Sequence, residues 1–212
     1  MYRPPPFRED RPEILEQVIA AHPLALLVTS GESGIQANLV PFLLDGTAGP
    51  GGQLLAHIAR ANPQLPDLRS GAEALVIFQG PQAYVSPNWY PTKHQHGKAV
   101  PTWNYVMVQA RGRPKVTDDA GWLKTQVDAL TRQQEQDQPR PWSMADAPPD
   151  YIDGQVRGIA GVEIEIERME GKWKASQNQP EPNRAGVIAG LTARHGTSPM
   201  ALIMESLTDP QP

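Results

Sequence analysis

The chain has 212 residues and a formal net charge of −4, enough length for an ample core and an acidic balance that speaks against a broadly basic nucleic-acid-binding face. Hydrophobic residues make up 39% of it, with 18 glycines, 23 prolines and no cysteine. That much proline implies many loops and short elements instead of a helical bundle, and the cysteine count excludes disulfides, a thiolate nucleophile and cysteine-ligated metals.

Asp10 followed by Glu13, with Pro12 in the first turn, predicts a helix start. Ile14, Leu15, Val18 and Ile19 then recur at helical spacing, and His22-Pro23 ends the helix. LALLVT, 24–29, predicts a buried strand. A turn at 31–34 leads to a second strand, 35–44, in which Pro41 marks an edge or a bulge. The Gly-rich stretch 45–52 is a turn but not a Walker-type phosphate loop, since no Gly-Lys-Ser/Thr follows it. QLLAHIAR, 53–60, predicts a third strand, and 61–71 a connection with a helical turn. EALVIFQG, 73–80, is a strand that AYVS continues or restarts, and WNYVMVQARGRPKV, 103–116, predicts one long strand. Asp118 or Asp119 caps a helix reaching about Gln136, with Leu123, Val127 and Leu130 on one face. Residues 137–149 are irregular with Trp142 as an anchor, and 151–157 forms a short helix.

Val162, Ile164 and Ile166 alternate with Glu163, Glu165 and Glu167, the pattern of a strand with one buried face. Two short helices close the chain: one capped by Asn183 to about His195, one started by Ser198-Pro199 to about Leu207. Six or more strands in hairpin-like order predict a mainly β (α+β) antiparallel barrel with helices outside. The expected organisation is one domain over 1–212 with a helical extension from about 181 to 212. The N-terminus lacks an apolar signal core and no apolar run reaches spanning length, so a cytoplasmic protein without a membrane partner is expected.

The stretch 79–105 carries Tyr84, Trp89, Tyr90, Trp103 and Tyr105, five of the ten Trp and Tyr residues in the chain. Among them stand hydroxyls (Ser86, Thr92, Thr102), amides (Asn88, Asn104) and cations (Lys93, His94, His96, Lys98), and prolines 81, 87, 91 and 101 stiffen the backbone. A plain connector is polar and flexible. This one is aromatic, stiff and rich in donors, which suits a planar anionic ligand; the same aromatics also suit covering a core edge.

Two more segments carry chemistry. AHIARANPQ, 56–64, ends a strand with His57, Arg60 and Asn62. Arg and Asn suit phosphate oxygens, although a solvated Arg and a His in a polar niche would read the same way. GKWKASQN, 171–178, sets Lys172, Lys174 and Ser176 on one face and Trp173 on the other, with Gln177 and Asn178 as further donors. Two same-face lysines ask for an anion, or for the glutamates of the preceding strand. His94-x-His96 has no carboxylate or Cys beside it, so no metal is expected.

AYVSPNWYPTK followed by VPTWNY, together with MYRPPPFRED, AHIARANPQ and GKWKASQN, resembles the FMN-binding negative transcriptional regulators, the PaiB-like family, in order from Met1 to about Arg184. The resemblance implies a split β-barrel related to pyridoxamine-phosphate oxidase and flavin reductases, a homodimer with FMN at its interface, and a regulatory role. It implies an FMN phosphate held by the His57, Arg60 and Asn62 segment and by Lys172 or Lys174, with Ser176 and Gln177 beside them. Lys93, Thr102 and Asn104 are candidates for the flavin edge, where N5 or O4 takes a neutral donor and the N1–O2 side favours positive charge. Trp89 and Trp103 are candidates for stacking on the ring, with core packing as the alternative.

Three functions stay open. The first is an FMN-binding split barrel with flavin-dependent redox chemistry or flavin-gated regulation. The second is a DNA-binding repressor without a flavin, which charge does not support: SPMALIMESL, the last helix, has no Lys or Arg with which to meet phosphates. The third is a haem-binding split barrel with His57 or His195 as axial ligand. No residue stands out as an obligatory catalytic acid or base.

Overall fold

A computed structural model describes residues 1–32, 34–49 and 51–207. The end of the expected helical extension, 208–212, and one position in each of two expected turns, Ser33 and Pro50, lie outside the described residues. In chain order the elements are β1 (Arg8–Glu9), α1 (Pro12–Ala21), β2 (Leu24–Gly31), β3 (Gly34–Pro41), β4 (Leu43–Asp45), β5 (Gln53–Ala59), α2 (Leu65–Arg69) and β6 (Ala74–Val85). There follow α3 (Lys93–His96), β7 (Thr102–Gly112), β8 (Pro114–Thr117), α4 (Ala120–Glu135), α5 (Pro149–Arg157), β9 (Ile159–Glu165), β10 (Arg168–Lys174), α6 (Glu181–His195) and α7 (Pro199–Ser206). Helix accounts for 37% and strand for 34%. This is the mixed α+β, antiparallel class that the sequence predicts, with more helix than its strand count suggested.

The residues gather into two compact units: Met1–Leu15, Gln79–Val108 and Glu170–Pro212 form the first, Glu16–Phe78 and Gln109–Met169 the second. In the second unit, β6-β2-β3 and β4-β5-β9-β8 are hydrogen-bonded in those orders. Ala25, Leu27 and Thr29 of β2 are buried and Leu24 is exposed, so the strand read as buried is buried on one face. The expected strand 35–44 divides at Pro41. β3 pairs with β2, Phe42 turns into the core against Phe78, and β4 pairs with β5. Proline has no N–H to donate, so a sheet edge is where the chain can place it and leave. The long strand 103–116 divides in the same way, since β8 pairs with β9. A β-carbon at Gly112 would lie 1.9 Å from the Glu165 carbonyl oxygen, which only glycine permits. Val162, Ile164 and Ile166 are buried and their glutamate neighbours are not, as the alternation predicts.

In the first unit the order is β1-β10-β7-β6, with α6 and α7 adjoining each other. Val85, Val106, Val108, Val187, Leu191 and Met200 are fully buried there.

Capping agrees with the sequence at two helices. The Asp119 carboxylate accepts from the Trp122 N–H at 2.6 Å, and Ser198 Oγ from the Ala201 N–H at 3.4 Å. It differs at two others. The Arg11 carbonyl, not Asp10, accepts the first bonds of α1, and Asp10 pairs with Arg3. α6 begins after Pro180 and holds Asn183 inside, buried, because a proline in the first turn has already removed one orphan N–H. Trp142, expected as an anchor, is 42% exposed on a surface loop.

Trp89, in a short 3-10 turn at Pro87–Trp89, lies against α6. A β-carbon at Gly186 would lie 2.0 Å from the Trp89 carbonyl oxygen, and one at Gly190 2.3 Å from its indole ring. Helix propensity alone makes Gly→Ala stabilising by roughly 1 kcal/mol. Gly186→Ala is expected to do the reverse and lower stability by about 1–3 kcal/mol, the usual penalty of overpacking. Gly154→Ala in α5, where the nearest atom is an Arg157 nitrogen at 3.8 Å, is expected to be neutral or stabilising. Urea unfolding of both variants checks the opposite signs.

Candidate functional site

In the first unit Asn104 of β7 and Lys174 of β10 stand on neighbouring strands, and Ser176 lies two residues beyond the end of β10. Ser176 has φ 61°, the left-handed region that non-glycine residues seldom enter. Gln177 braces that turn: its side-chain oxygen accepts from the Ala175 N–H at 2.7 Å and its amide donates to the Trp173 carbonyl at 2.6 Å. The Asn104 amide donates to Ser176 Oγ at 2.9 Å, and both residues are buried. Tyr90 is buried beside them; burial raises its phenol pKa and a hydrogen bond with Ser176 opposes the rise. Asn183 of α6 accepts from the Thr92 hydroxyl at 3.0 Å.

These side chains enclose a cavity of about 240 Å³, walled by Tyr90, Thr102, Asn104, Lys174, Ser176 and Asn183, with Lys98 also on its wall. Among the residues that line it there is no Asp or Glu. Lys174 Nζ donates to Thr102 Oγ1 and to the Trp103 carbonyl, both neutral acceptors. An ammonium has three donors, so two neutral bonds leave its charge without a counter-ion. Burial lowers the Lys174 pKa, and the nearby charge of Lys172 lowers it further. Lys172 is housed differently: its Nζ lies 5.3 Å from the ring centres of both Tyr2 and Tyr105. Two aromatic rings, neither an anion nor the glutamates that were the alternative, stand beside that ammonium.

His57, Arg60 and Asn62 belong to the second unit. Arg60 donates to Asp118 at 2.6 Å and to the Arg157 carbonyl at 2.9 Å. Arg69 joins it on the same carboxylate at 2.9 Å, and the two arginines, Arg69 first, hold Asp118 below the usual carboxylate range. His57 Nδ1 is 2.8 Å from the side-chain oxygen of buried Gln126. Asn62 accepts from the Gln64 N–H at 2.9 Å and so shapes the entry to α2.

In the first unit Lys93 donates to Asn88. Trp103 is 53% exposed with the Tyr84 ring edge-on at 5.8 Å, and one side of Trp89 is taken by α6. A second, more open concavity of about 490 Å³ is lined by Tyr84, Trp103, Arg194, His195 and Ser198. The structure thus brings together Thr102, Asn104, Lys174 and Ser176, with Gln177 bracing them. It adds Tyr90 and Lys98, which the sequence placed only within the aromatic ligand-suited stretch, and Asn183, to which the sequence gave no such role. Asn183 was hidden because its position reads as a helix cap; Pro180 and Pro182 were the signal that the helix start needed none.

Residues 1–168 match the family described as "Putative FMN-binding domain". The chain belongs to that family. It is similar to an uncharacterized protein of Emericella nidulans, 35% identical over 84% of this chain and 85% of the relative. It is also similar to the protease synthase and sporulation protein PAI 2 of Bacillus subtilis, 30% identical over 65% of this chain and 64% of that one. Among solved structures, a FAD- and haem-binding protein of Mycobacterium smegmatis aligns with a TM-score of 0.57 at 17% identity, over 90% of this chain and 81% of that one. A conserved hypothetical protein of Mycobacterium tuberculosis aligns at 0.58 and 11%, over 85% and 95%. At such identities the likeness is one of fold, and the fold is the antiparallel split-barrel class that the sequence predicts. The FMN-binding family match holds AHIARANPQ and AYVSPNWYPTK, and it ends before the Lys174 and α6 wall of the cavity. No helix among the described residues is long and apolar enough to cross a membrane.

The lowered pKa of Lys174 sets a sign. Between its folded value and the usual lysine value near 10.4 the unfolded chain binds more protons, so raising the pH through that window favours the folded state. Lys174→Met removes the effect. The stability difference between the two proteins is expected to move toward the unaltered protein as pH rises through the window, and denaturant midpoints measured from neutral to alkaline pH check this.

Proposed function

We propose that this chain binds FMN, as a homodimer in the cytoplasm, and uses the flavin for redox chemistry or as the gate of a regulatory interaction. The observation that carries the reading is membership of the FMN-binding family over residues 1–168, which takes in both the Arg60 segment and the aromatic stretch. The chemistry of the Arg60 strand end fits a phosphate. Arg60 and Arg69 already converge on one oxyanion, the Asp118 carboxylate, and guanidinium forks suit phosphate oxygens equally well. Trp103 offers an exposed ring face for stacking. Bound FMN would supply hydride or single-electron chemistry, while this chain would hold the phosphate, orient the ring and limit access of water.

The homodimer reading is supported by β3. Its polar side chains Gln36 and Asn38 hydrogen-bond to Pro63 and Gln64, while Ile35 and Leu39 stand 79% and 64% exposed on the other face. An apolar outer face on an edge strand suits a covered surface. A DNA-binding regulator remains a role for the assembly more than for the last helix, since α7 buries Met200, Ala201 and Met204 and has no basic residue.

Haem is a second reading, with one observation behind it. His195 lines the concavity that also holds Trp103 and Tyr84, whereas the Nδ1 of His57 is engaged with Gln126. The absorbance spectrum of the purified protein separates flavin bands from a Soret band.

Arg60→Ala is expected to weaken FMN about 10- to 100-fold, the equivalent of one hydrogen bond between charged groups, and to leave riboflavin, which lacks the phosphate, nearly unchanged. Fluorescence titration with both flavins reads the difference. Equal losses would remove Arg60 from the phosphate site, and a protein that binds neither flavin would sink the reading.

A further inference from the structure

We propose that the 240 Å³ cavity of the first unit, whose Thr102, Asn104, Lys174 and Ser176 the family resemblance gave to the flavin, is instead a binding site for a small oxyanion, a carboxylate or a phosphate, separate from the flavin. Four features of that one unit converge on it. Its lining holds two cations, Lys174 and Lys98, and no carboxylate. The Lys174 ammonium reaches only neutral oxygens, those of Thr102 and Trp103. Lys172, the other lysine of β10, lies 5.3 Å from two tyrosine ring centres and is not part of the lining. A half-buried charge without a counter-ion opposes folding, and it is retained where a ligand completes it.

The second feature is the hydroxyl and amide set. Ser176, Tyr90 and Asn104 are all buried on the cavity wall, and Thr102 and Asn183 face the same space. Hydroxyls and amides rotate or flip to donate to an oxyanion, and charge-assisted bonds of this kind are the strong ones.

The third is backbone conformation. Ser176 is the one non-glycine residue with positive φ among the described residues. Glycine would adopt φ 61° without strain. A serine there is held by Gln177 and Asn104, and what it adds is a hydroxyl on the wall. Strain of this kind gathers at ligand sites.

The fourth is size. The space falls below the roughly 300–1,000 Å³ of pockets for drug-sized ligands. Its one aromatic lining residue, Tyr90, is 5% exposed, so little ring surface is offered to a flavin. Ala99 and Val100 are the apolar part of the lining and fit a short carbon tail on the anion.

The test uses the full-length protein and two probes, sodium acetate and inorganic phosphate, titrated by calorimetry at constant ionic strength, with and without saturating FMN. Saturable binding of at least one probe is expected, unchanged by FMN. Acetate alone would assign a carboxylate ligand, phosphate alone a phosphorylated one, and either supports the site. Lys174→Met and Ser176→Gly are each expected to weaken it tenfold or more. Ser176→Gly serves as its own folding control, because its melting temperature should stay level or rise as the positive φ is relieved. Three results would overturn the proposal: no saturable binding of either probe at millimolar concentration, binding indifferent to both substitutions, or displacement by FMN, which would hand the cavity to the flavin phosphate. Since the probes are read without flavin as well as with it, a protein that failed to bind FMN would leave this result standing.

Discussion

The close approach of Gly112 to the Glu165 carbonyl, with room for no side chain between them, fixes where β7 ends and the chain turns into β8. Side chains alternate along a strand, so that end point sets the face of every residue before it. Counting back by twos from Gly112 gives Ala110, Val108, Val106 and Asn104, all buried. Asn104 is the last and the only hydrogen-bonding side chain of that row, and it is the one that meets Ser176. A slip of one residue would send Asn104 outward and bring Trp103 in. The same alternation that includes Gly112 thus ends on the cavity wall at Asn104.

The two lysines of β10 illustrate how one local pattern produces two chemistries. Their spacing puts both on one face, and the sequence treats them alike. Lys172 is buried under Tyr2 and Tyr105, whose rings stabilise a cation by their negative faces. Lys174 sits over a cavity and bonds to a hydroxyl and a carbonyl, which accept its protons and leave its charge in place. The surroundings, supplied by residues distant in sequence, decide that one lysine rests between rings and the other lines a cavity.

The second unit uses charge in a third way. Arg60 and Arg69, nine positions apart, meet at Asp118, all three partly exposed, so their pairing is screened by solvent and contributes little to stability. Its value lies in arrangement: the Asp118 carboxylate keeps two guanidinium groups together. In the same unit the polar side of β3 joins a buried set of Thr29, Gln64 and Asp67 through hydrogen bonds of 3.0–3.2 Å. Turning the half-buried polar side of an edge strand inward leaves its apolar side outward, the reverse of the usual order for a strand on a core.

The sequence by itself determined what short-range physics can specify. The alternation of Val162, Ile164 and Ile166 with glutamates, the caps at Asp119 and Ser198, the edge position of Pro41 and the family motifs all act through neighbours a few residues apart, and they were legible. So were Thr102, Asn104, Lys174 and Ser176 as donors. Tertiary structure alone decided that two apparent long strands divide between sheets, that Asn183 faces a cavity instead of capping a helix, that Trp142 lies on the surface, and that Lys172 rests between rings. Each of these turns on contacts between segments far apart in the chain, such as Gly112 with Glu165 or Lys172 with Tyr2. A periodicity records which face is apolar, and it carries no information about which distant residue will be standing opposite.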